Sequence, residues 1–563
     1  MNRIASLLVL LTVSLGCLAA SPNAAVPTTP AAEAAPVINV IPRPMIAQPG
    51  ASDFVLDKNT WIVCCEENVS LKNEAEYLRD LIARATGWRL KITSNVMPAR
   101  PQKNVIILAA TSHKKLQDRY GVRVSKGEIG IMGIGPVGVF YGIQTLRQLL
   151  PVEIESPTPV TNVRWVVPAV KIADAPRYQW RGLMIDESRH FFGKAYVKQI
   201  LEQMALRKMN VFHWHLTDMP GWRIEIKAWP KLATIGGKGN GSNPNGPVQY
   251  YTQDDIREIV AYAAARHIMV VPEIDMPGHA TAANRAYPEF SGGGTTRHPE
   301  FTFNPGKEKT YTFLTDILKE TAKLFPAPYL HYGGDEAHFS NKTWNALPDV
   351  QALMKKEGLK DRTAVEQYFN RRMAKVISSL GKTTVGWDEI VDAGVPADKC
   401  VVMWWRHNKP EALKTALDKG YQVVLCPRIP CYFDFVQHDS HKVGRRWKGK
   451  YGTLELAYKY PVFPEGTPMD RLGQIVGIQA CLWTEKVATP ARANFMTYPR
   501  LSAIAEAAWT SADVKKDYAD FQRRLKPMLK RLDLAGINYF NPFDLKATPE
   551  MGVHGTVKNP GKK

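Results

Sequence analysis

Two acidic residues, Asp335 and Glu336, stand next to each other directly after Gly333 and Gly334. Glycines let the backbone approach a bound molecule closely. Sequence neighbours rarely face each other across a substrate, as two opposed catalytic acids must, but they can serve two points on one molecule. Glu336 could protonate a leaving oxygen, while Asp335 could hold a substrate group that makes the attack. The pair therefore predicts acid–base chemistry.

The acidic pair is one of six polar groups that each follow a short apolar segment typical of a β-strand. The other five are Asp186–Glu187 with Arg189, Thr217–Asp218, Asp275, Asp388–Glu389 and Trp483–Thr484–Glu485. Active sites of (β/α)8 barrels are built at the carboxyl ends of the strands. Six polar groups at the same end of the predicted strands therefore indicate a functional site.

Eight apolar segments alternate with helical ones. The predicted strands are 181–186, 210–216, 267–275, 329–335, 383–389, 401–405, 422–427 and 476–483. The predicted helices between them include 196–208, 254–266, 310–324, 364–380 and 411–419. This rhythm predicts an α/β fold, a (β/α)8 TIM barrel. A doubly wound sheet is the alternative, but the glycine-rich phosphate turn expected after its first strand is missing.

Alternation within the second predicted strand gives the direction of its side chains. Phe212 and Trp214 share one face, so His213 and His215 should point into the barrel. His-x-His can be a metal motif, but we interpret these two residues as part of a hydrogen-bonded core network and predict no metal and no cofactor. By the same rule, the inward residues of the last strand are Gln479, Cys481, Trp483 and Glu485.

The remaining chain is predicted to form smaller parts. Residues 37–175 alternate strands (61–65, 104–109, 130–134) with helices (74–85, 138–150) and predict an α+β domain. The catalytic barrel would take 176–512. Residues 513–563 form a C-terminal helix and tail, with a basic helix at 513–533 expected to pack on the barrel.

The N-terminus indicates export. Arg3 precedes an apolar run, 7–15, and small residues that end near Ser21, which predicts a signal peptide at 1–20 and a flexible linker at 21–36. The product would be periplasmic, cell-surface or secreted, although Cys17 could instead be lipidated. No later apolar stretch is long enough to span a bilayer. For the six later cysteines, disulfides and buried free thiols both stay open.

The formal net charge of +20 could indicate a nucleic-acid binder. The chain has no zinc-finger spacing, RNP motif or long Lys/Arg run. The charge is spread along the chain, apart from a small knot at Arg445, Arg446, Lys448 and Lys450. We interpret it as a basic solvated surface, with attraction to an anionic envelope or glycan as the alternative, and expect no nucleic-acid partner.

Several of these blocks resemble glycoside hydrolase family 20, the β-N-acetylhexosaminidases. The blocks are 181–191, 213–218, 221–225, 272–279, 331–336, 386–389, 483–485 and 499–509. Residues 37–175, including 41–44 and 140–146, are similar to the N-terminal domain of that family. The resemblance implies an exo-acting enzyme that removes terminal non-reducing GlcNAc or GalNAc from glycans or chitooligosaccharides. It also implies retention through an oxazolinium intermediate formed by the substrate's own acetamido group.

The resemblance also implies roles for individual residues. Asp335 would orient the acetamido group, and Glu336 would act as general acid and then base. At the substrate, Arg189, Asp434 and Glu485 would bind ring hydroxyls, and Tyr432 would bind the acetamido carbonyl. Trp387, Trp405 and Trp483 would form the walls of the pocket, and Trp447 would be a platform for the next subsite. Asp275 and His279 would form a supporting pair near Glu336, and Asp218 is a further implied substrate-binding residue. Trp404 is an alternative to Trp405. Met219–Pro220 after Asp218 departs from the family pattern, Asp-Gln, and puts the shape of that loop in doubt.

Two other functions stay open. One is a non-catalytic glycan-binding protein built on an inactive barrel, against which the intact Asp335 and Glu336 argue. The other is a retaining glycosidase with a protein nucleophile such as Glu485. The pattern of spaced acids found in family 18 chitinases is absent, which disfavours an endo-chitinase.

Overall fold

The computed structural model describes residues 38–65, 70–94, 103–112, 118–337, 341–515 and 517–554. The chain divides into two compact units. The first contains the residues up to Arg177 together with Leu206–Lys208 and Trp509–Ile537, and the second contains Tyr178–Ala205, Met209–Ala508 and the residues from Asn538 on. The predicted signal peptide, the linker at 21–36 and Cys17 lie outside the described residues.

The first unit is built on a mixed sheet of seven strands in the order β1-β9-β6-β7-β5-β3-β4. The strands are β1 Ile46–Pro49, β3 Trp61–Cys65, β4 Lys91–Ser94, β5 Val105–Thr111, β6 Tyr120–Ser125, β7 Glu128–Ile134 and β9 Val170–Asp174, while β2 Phe54–Val55 and β8 Val166–Val167 form a separate pair. Its long helices are Lys72–Thr86 and Gly135–Leu149. Each strand and helix predicted within 37–175 is present, and the α+β class is confirmed.

The helix Tyr518–Leu534 belongs to this first unit. Arg524 donates to the carbonyl of Val40 at 3.0 Å, and Arg531 donates to the carbonyls of Gln148 and Leu150 at 2.9 and 2.7 Å. The sequence predicted this helix but expected it on the barrel. The expectation was wrong about its neighbours because these buried guanidinium groups find their acceptors in the first unit.

The second unit is a closed barrel of eight parallel strands. They are β10 Trp180–Asp186, β11 Val211–His215, β12 Met269–Met276, β13 Tyr329–Gly333, β14 Thr383–Trp387, β15 Cys400–Trp404, β16 Gln422–Leu425 and β17 Ile475–Leu482. Pairing of β10 with both β11 and β17 closes the circle. The predicted (β/α)8 barrel is confirmed, and every strand lies within two residues of its expected bounds.

Helices alternate with the barrel strands. They are Lys194–Leu206, Gln253–Ala264, Thr281–Ala286, Glu308–Leu324, Pro348–Glu357, Arg362–Ser379, Pro410–Asp418, Arg428–Cys431, Leu454–Lys459, Pro490–Thr497 and Arg500–Trp509. The five helices that the sequence located in the barrel are all present. In the described part of the chain, no helix combines the length and apolar character that a membrane span requires.

The barrel interior contains the polar network that the His-x-His pattern predicted. The buried Glu273 on β12 accepts hydrogen bonds from His213, at 2.9 Å, and from His215. Gln479 on β17 bonds the other ring nitrogen of His213 at 2.9 Å. Glu273 and His213 together therefore connect three strands, β11, β12 and β17, beneath the rim. Cys400, Cys426, Cys431 and Cys481 are buried free thiols.

Candidate active site

A cavity of about 540 Å³ opens at the carboxyl end of the barrel. The predicted site residues that line it are Arg189, Asp218, Asp275, His279, Asp335, Glu336, Trp387, Trp405, Tyr432, Trp447, Trp483 and Glu485. Asp434, the remaining predicted residue, is buried beside this lining. The cavity is also lined by four cationic residues that the sequence did not assign to a site: Arg428, Arg445, Arg446 and Lys486.

The acidic pair follows β13 through two glycines that the structure requires. Gly333 and Gly334 have φ angles of 75° and 92°, a region that favours glycine. A Cβ atom on Gly333 would lie 1.8 Å from Oδ1 of Asp275, so no side chain fits there. Glu336 itself has a φ of 59°, which is uncommon for such a residue and is a form of backbone strain that concentrates at functional sites.

The two acids differ in their surroundings. The side chain of Asp335 is 12% exposed, whereas that of Glu336 is 36% exposed and reaches into the cavity. Burial raises the pKa of Glu336, and the nearby Asp335 raises it further, while His279 opposes both effects. A raised pKa favours the protonated carboxyl group that a general acid requires.

His279 follows β12 and lies between acidic residues that follow the strands on either side, β11 and β13. Its Nδ1 is 3.0 Å from Oδ1 of Asp218, and its Nε2 is 3.5 Å from Asp335 and 3.7 Å from Glu336. Burial lowers the pKa of His279, but attraction by Asp218, Asp275 and Asp335 outweighs burial and raises it well above its usual value. His279 is therefore held as an imidazolium at the base of the site.

Asp275, which was expected to form a supporting pair with His279 near Glu336, lies close to that histidine. Its Oδ1 is turned toward the space that Gly333 leaves open, and its charge helps to raise the pKa of His279. Asp218 makes the hydrogen bond to His279, a contact that the sequence did not predict.

Arg189 is fixed in one orientation by two carboxylates. It forms ion pairs with Asp186 at 3.2 Å and with Asp218 at 2.6 Å, and its guanidinium carbon lies 5.1 Å from the ring centroid of Trp483. Charged forks of this kind bind polar groups with defined geometry. Asp186 was recognised at its strand end but was given no role, and the structure shows that it orients Arg189.

Four aromatic side chains form one wall of the cavity: Trp387, Trp405, Tyr432 and Trp483. Neighbouring rings in this wall are 5.8–6.3 Å apart, and the rings of Trp405 and Tyr432 are nearly parallel, at 5°. The alternative residue, Trp404, is buried in β15 and donates its indole N–H to the carbonyl of Lys409 at 3.3 Å. Trp405, not Trp404, therefore faces the cavity.

A buried acidic group supports Trp405 from behind. The indole N–H of Trp405 donates to Glu389 at 3.0 Å. Asp388 accepts the backbone N–H groups of Trp405 and Arg406, each at 3.2 Å, and pairs with the Arg406 side chain. The sequence identified Asp388–Glu389 as polar residues at a strand end without assigning a task, which the structure supplies.

Arg445 joins the two carboxylates expected at ring hydroxyls. Its Nε lies 2.9 Å from Oδ2 of Asp434, and its Nη2 bonds Glu485. Burial raises the pKa of Asp434 to about 7, with Arg445 opposing that shift and Glu485 adding to it. From the sequence, Arg445 was interpreted as part of a small knot of surface charge. Its position two residues before Trp447 was the signal that could have placed it in the site.

Arg428 covers one face of the predicted platform Trp447. Its guanidinium carbon lies 3.9 Å from the ring centroid of Trp447 and 5.0 Å from that of Trp405. Sequence reasoning missed Arg428. The rule that site residues follow the carboxyl ends of the barrel strands could have found it, because Arg428 follows the end of β16.

Two groups of side chains in the cavity bring three possible metal ligands within 4.8 Å of one another: Asp218, Asp275 and His279, and His279, Asp335 and Glu336. Both depend on His279. Histidine binds a metal through a neutral nitrogen, whereas the surrounding acids favour its protonated form. The arrangement is therefore better suited to moving protons than to holding a cation.

The fold and the cavity together define the class: a (β/α)8-barrel enzyme with an acid–base pair at the rim of the fourth strand. Comparison with known families agrees with this class. Residues 178–512 match "Glycosyl hydrolase family 20, catalytic domain", and residues 37–175 match "Glycosyl hydrolase family 20, domain 2". The chain belongs to glycosyl hydrolase family 20.

Individual relatives share this architecture. The chain is 38% identical to a beta-hexosaminidase of Porphyromonas gingivalis over 90% of its own length, and it spans 64% of that relative. Among solved structures, a beta-N-acetylhexosaminidase of Streptomyces coelicolor superimposes with a TM-score of 0.78 at 32% identity, covering 91% of this chain and 99% of that one. An exo beta-N-acetylglucosaminidase of Vibrio harveyi, in complex with N-acetylglucosamine, gives 0.79 at 31% identity and covers 93% and 81%.

Proposed function

We propose that this chain is an exo-acting β-N-acetylhexosaminidase that removes terminal non-reducing GlcNAc or GalNAc residues. The observation that carries the proposal is the position of Asp335 and Glu336. Both lie on one side of the site, at 3.5 and 3.7 Å from Nε2 of His279. A retaining pair of carboxyl groups would instead face each other across the sugar, about 5–5.5 Å apart.

The proposed nucleophile is the acetamido oxygen of the substrate. The oxygen is tethered to the ring, so its effective concentration at C1 is high and little entropy is lost at the barrier. Attack forms the C1–O bond of an oxazolinium ion as the glycosidic C1–O bond breaks. Glu336 gives its proton to the leaving oxygen and then takes one from the water that opens the ring, with net retention.

The proposed task of Asp335 is to accept the acetamido N–H and stabilise the positive charge that develops on the ring. Its low exposure suits this task, because electrostatic stabilisation is stronger in a site that excludes water. The wall formed by Trp387, Trp405 and Trp483, together with Tyr432, would hold the acetamido group, while Arg189, Asp434 and Glu485 would hold the ring hydroxyls.

The decisive experiment compares nitrophenyl β-glycosides that differ at C2. We expect turnover of the 2-acetamido sugar, almost none of the 2-hydroxyl sugar, and slower turnover as fluorine atoms on the acetyl group weaken the nucleophile. A covalent 2-fluoroglycosyl adduct on Glu485 or another side chain would favour the two-carboxylate alternative. Binding without turnover of any glycoside would favour the glycan-binding protein.

We also propose export of the mature chain, as the basic, apolar and small-residue segments of 1–20 suggest. Mass spectrometry of the product in its natural compartment should give an N-terminus near residue 21. An intact Met1 would contradict export, and a diacylated Cys17 would indicate a membrane-anchored form instead.

A further inference from the structure

Arg428 lies in the cavity with an unused hydrogen-bond donor. Its Nη2 donates to Oδ1 of Asn408, and its plane stacks on Trp447. Its Nε–H is buried and has no hydrogen-bond partner among the residues that the structure describes. Buried polar groups are usually hydrogen-bonded, and an unpartnered donor in a binding cavity calls for an explanation. An acceptor supplied by the substrate would provide one.

Arg428 also differs from its cationic neighbours in its ion pairing. Arg189 and Arg445, two other guanidinium groups that line the cavity, each form ion pairs with two carboxylates. Within the described ranges, neither Arg428 nor Lys486 has a carboxylate within ion-pairing distance. A half-buried cation without a counter-ion favours an anionic ligand.

The position of Arg428 identifies which part of the substrate it would meet. Burial lowers the pKa of the Arg428 guanidinium, and Tyr432, Glu336 and Asp388 oppose that shift. The proposed acid Glu336 marks the glycosidic oxygen, and Arg428 stacks on Trp447, the platform expected for the next sugar. Arg428 therefore lies between Trp405, in the wall of the terminal-sugar pocket, and Trp447, and borders the subsite of the leaving sugar.

We propose that Arg428, stacked on Trp447, recognises an anionic group on the sugar that leaves, so that the natural substrates carry a carboxylate or a sulfate in the residue next to the terminal N-acetylhexosamine. This inference rests on the proposed function and names the substrate class of the same site. A carboxylate or sulfate oxygen would accept from the Nε–H in a charge-assisted hydrogen bond, which is stronger than a neutral one.

The surroundings of Arg428 suit the same substrate. Arg446 and Lys486 also line the cavity, and the chain carries a net charge of +20. A positive cavity mouth attracts anionic glycans and raises their association rate, and salt screens this attraction. The preference for an acidic substrate should therefore weaken as ionic strength increases.

The test uses three disaccharides with the same terminal GlcNAc and the same linkage, whose second residue is glucose, glucuronate or glucose 6-sulfate. We expect kcat/KM to be about tenfold or more higher for at least one acidic disaccharide than for the neutral one at low salt. The acid-to-neutral ratio should fall toward one in Arg428→Met, which keeps the length of the side chain but removes the charge and donors. Arg428→Lys should give an intermediate ratio.

A matched control is Lys442→Met, which removes one exposed positive charge outside the cavity lining and should keep the wild-type ratio. Equal ratios in wild type and Arg428→Met, or a wild type that prefers the neutral disaccharide, would overturn the proposal. If wild type turned over none of the three, the proposed function would fail instead. Calorimetric measurement of the binding of the acidic and neutral disaccharides to wild type and Arg428→Met would then show whether Arg428 recognises the anionic sugar.

Discussion

His279 and Glu336 both take a left-handed backbone conformation, with φ angles of 56° and 59°, and Nε2 of His279 lies 3.7 Å from Oε2 of Glu336. Two residues that follow different strands are thus both held in a strained backbone conformation, and this conformation places an imidazolium beside a carboxyl group. Strain of this kind persists where the surrounding structure enforces it. Here the enforcing contacts are the Asp218–His279 hydrogen bond and the glycines before Asp335.

We expect Glu336→Gln to reduce turnover in proportion to the acid assistance that a leaving group needs. For an alkyl or sugar leaving group the loss should be about 10²–10⁴-fold, the usual contribution of a general acid. An activated aryl glycoside should lose much less. The measurement is kcat/KM on both substrates, and equal losses would contradict the role of Glu336 as the acid.

Asp335→Asn should lower kcat while leaving KM within a few-fold. The variant keeps the shape of the side chain but lacks the negative charge that would stabilise the cyclic cation in the transition state. A thiazoline mimic of that ion should bind Asp335→Asn far more weakly than wild type. A variant that loses only ground-state binding, with kcat unchanged, would remove Asp335 from the chemical step.

The alkaline limb of the pH profile should move in opposite directions in two variants. Glu336 must be protonated to act, so kcat/KM falls as pH rises through its raised pKa. His279 lowers the pKa of Glu336, so His279→Gln should move the limb to higher pH. Asp335 raises that pKa, so Asp335→Asn should move the limb to lower pH. Unmoved limbs in both variants would mean that another group controls the profile.

Gly333→Ala should inactivate the enzyme through Asp275. The new Cβ would lie 1.8 Å from Oδ1 of Asp275, and the residue would keep a φ of 75°. Gly358→Ala is the control, because Gly358 also has a positive φ, 65°, with nothing within 4 Å of the new Cβ. Both variants should lose about 1–2 kcal/mol for the conformation, but only Gly333→Ala should lose kcat. Equal activities would show that Asp275 can move without consequence.

Trp405 should depend on a hydrogen-bond acceptor at Glu389. Glu389→Leu removes the acceptor 3.0 Å from the indole N–H and should raise KM or lower kcat by about tenfold. Glu389→Gln keeps an acceptor and should restore most of kcat/KM, together with the wild-type tryptophan fluorescence. If both variants lost the same activity, the contribution of Glu389 would be charge and not the position of Trp405.

The strands and most of the site residues could be predicted, because in a barrel both follow from patterns within short stretches of the sequence. Period-two alternation located the inward His213 and His215, and strand ends located Asp335, Asp275 and Glu485. The bond between His279 and Asp218 was not predicted, because it joins side chains from the loops after two different strands, and no periodic pattern gives the direction of a loop side chain. The tasks of Arg428 and Arg445 were missed because each is set by stacking on, or pairing with, a side chain from another segment of the site.

The helix Tyr518–Leu534 gives the chain an order of assembly. The first unit begins with residues that leave the ribosome early, yet it includes Trp509–Ile537, which are synthesised after every strand of the barrel. Until they arrive, the carbonyls of Val40, Gln148 and Leu150 lack the guanidinium groups that they bind in the finished protein. All eight barrel strands are therefore synthesised before the first unit is complete, and the packing of that unit depends on a segment made late in translation.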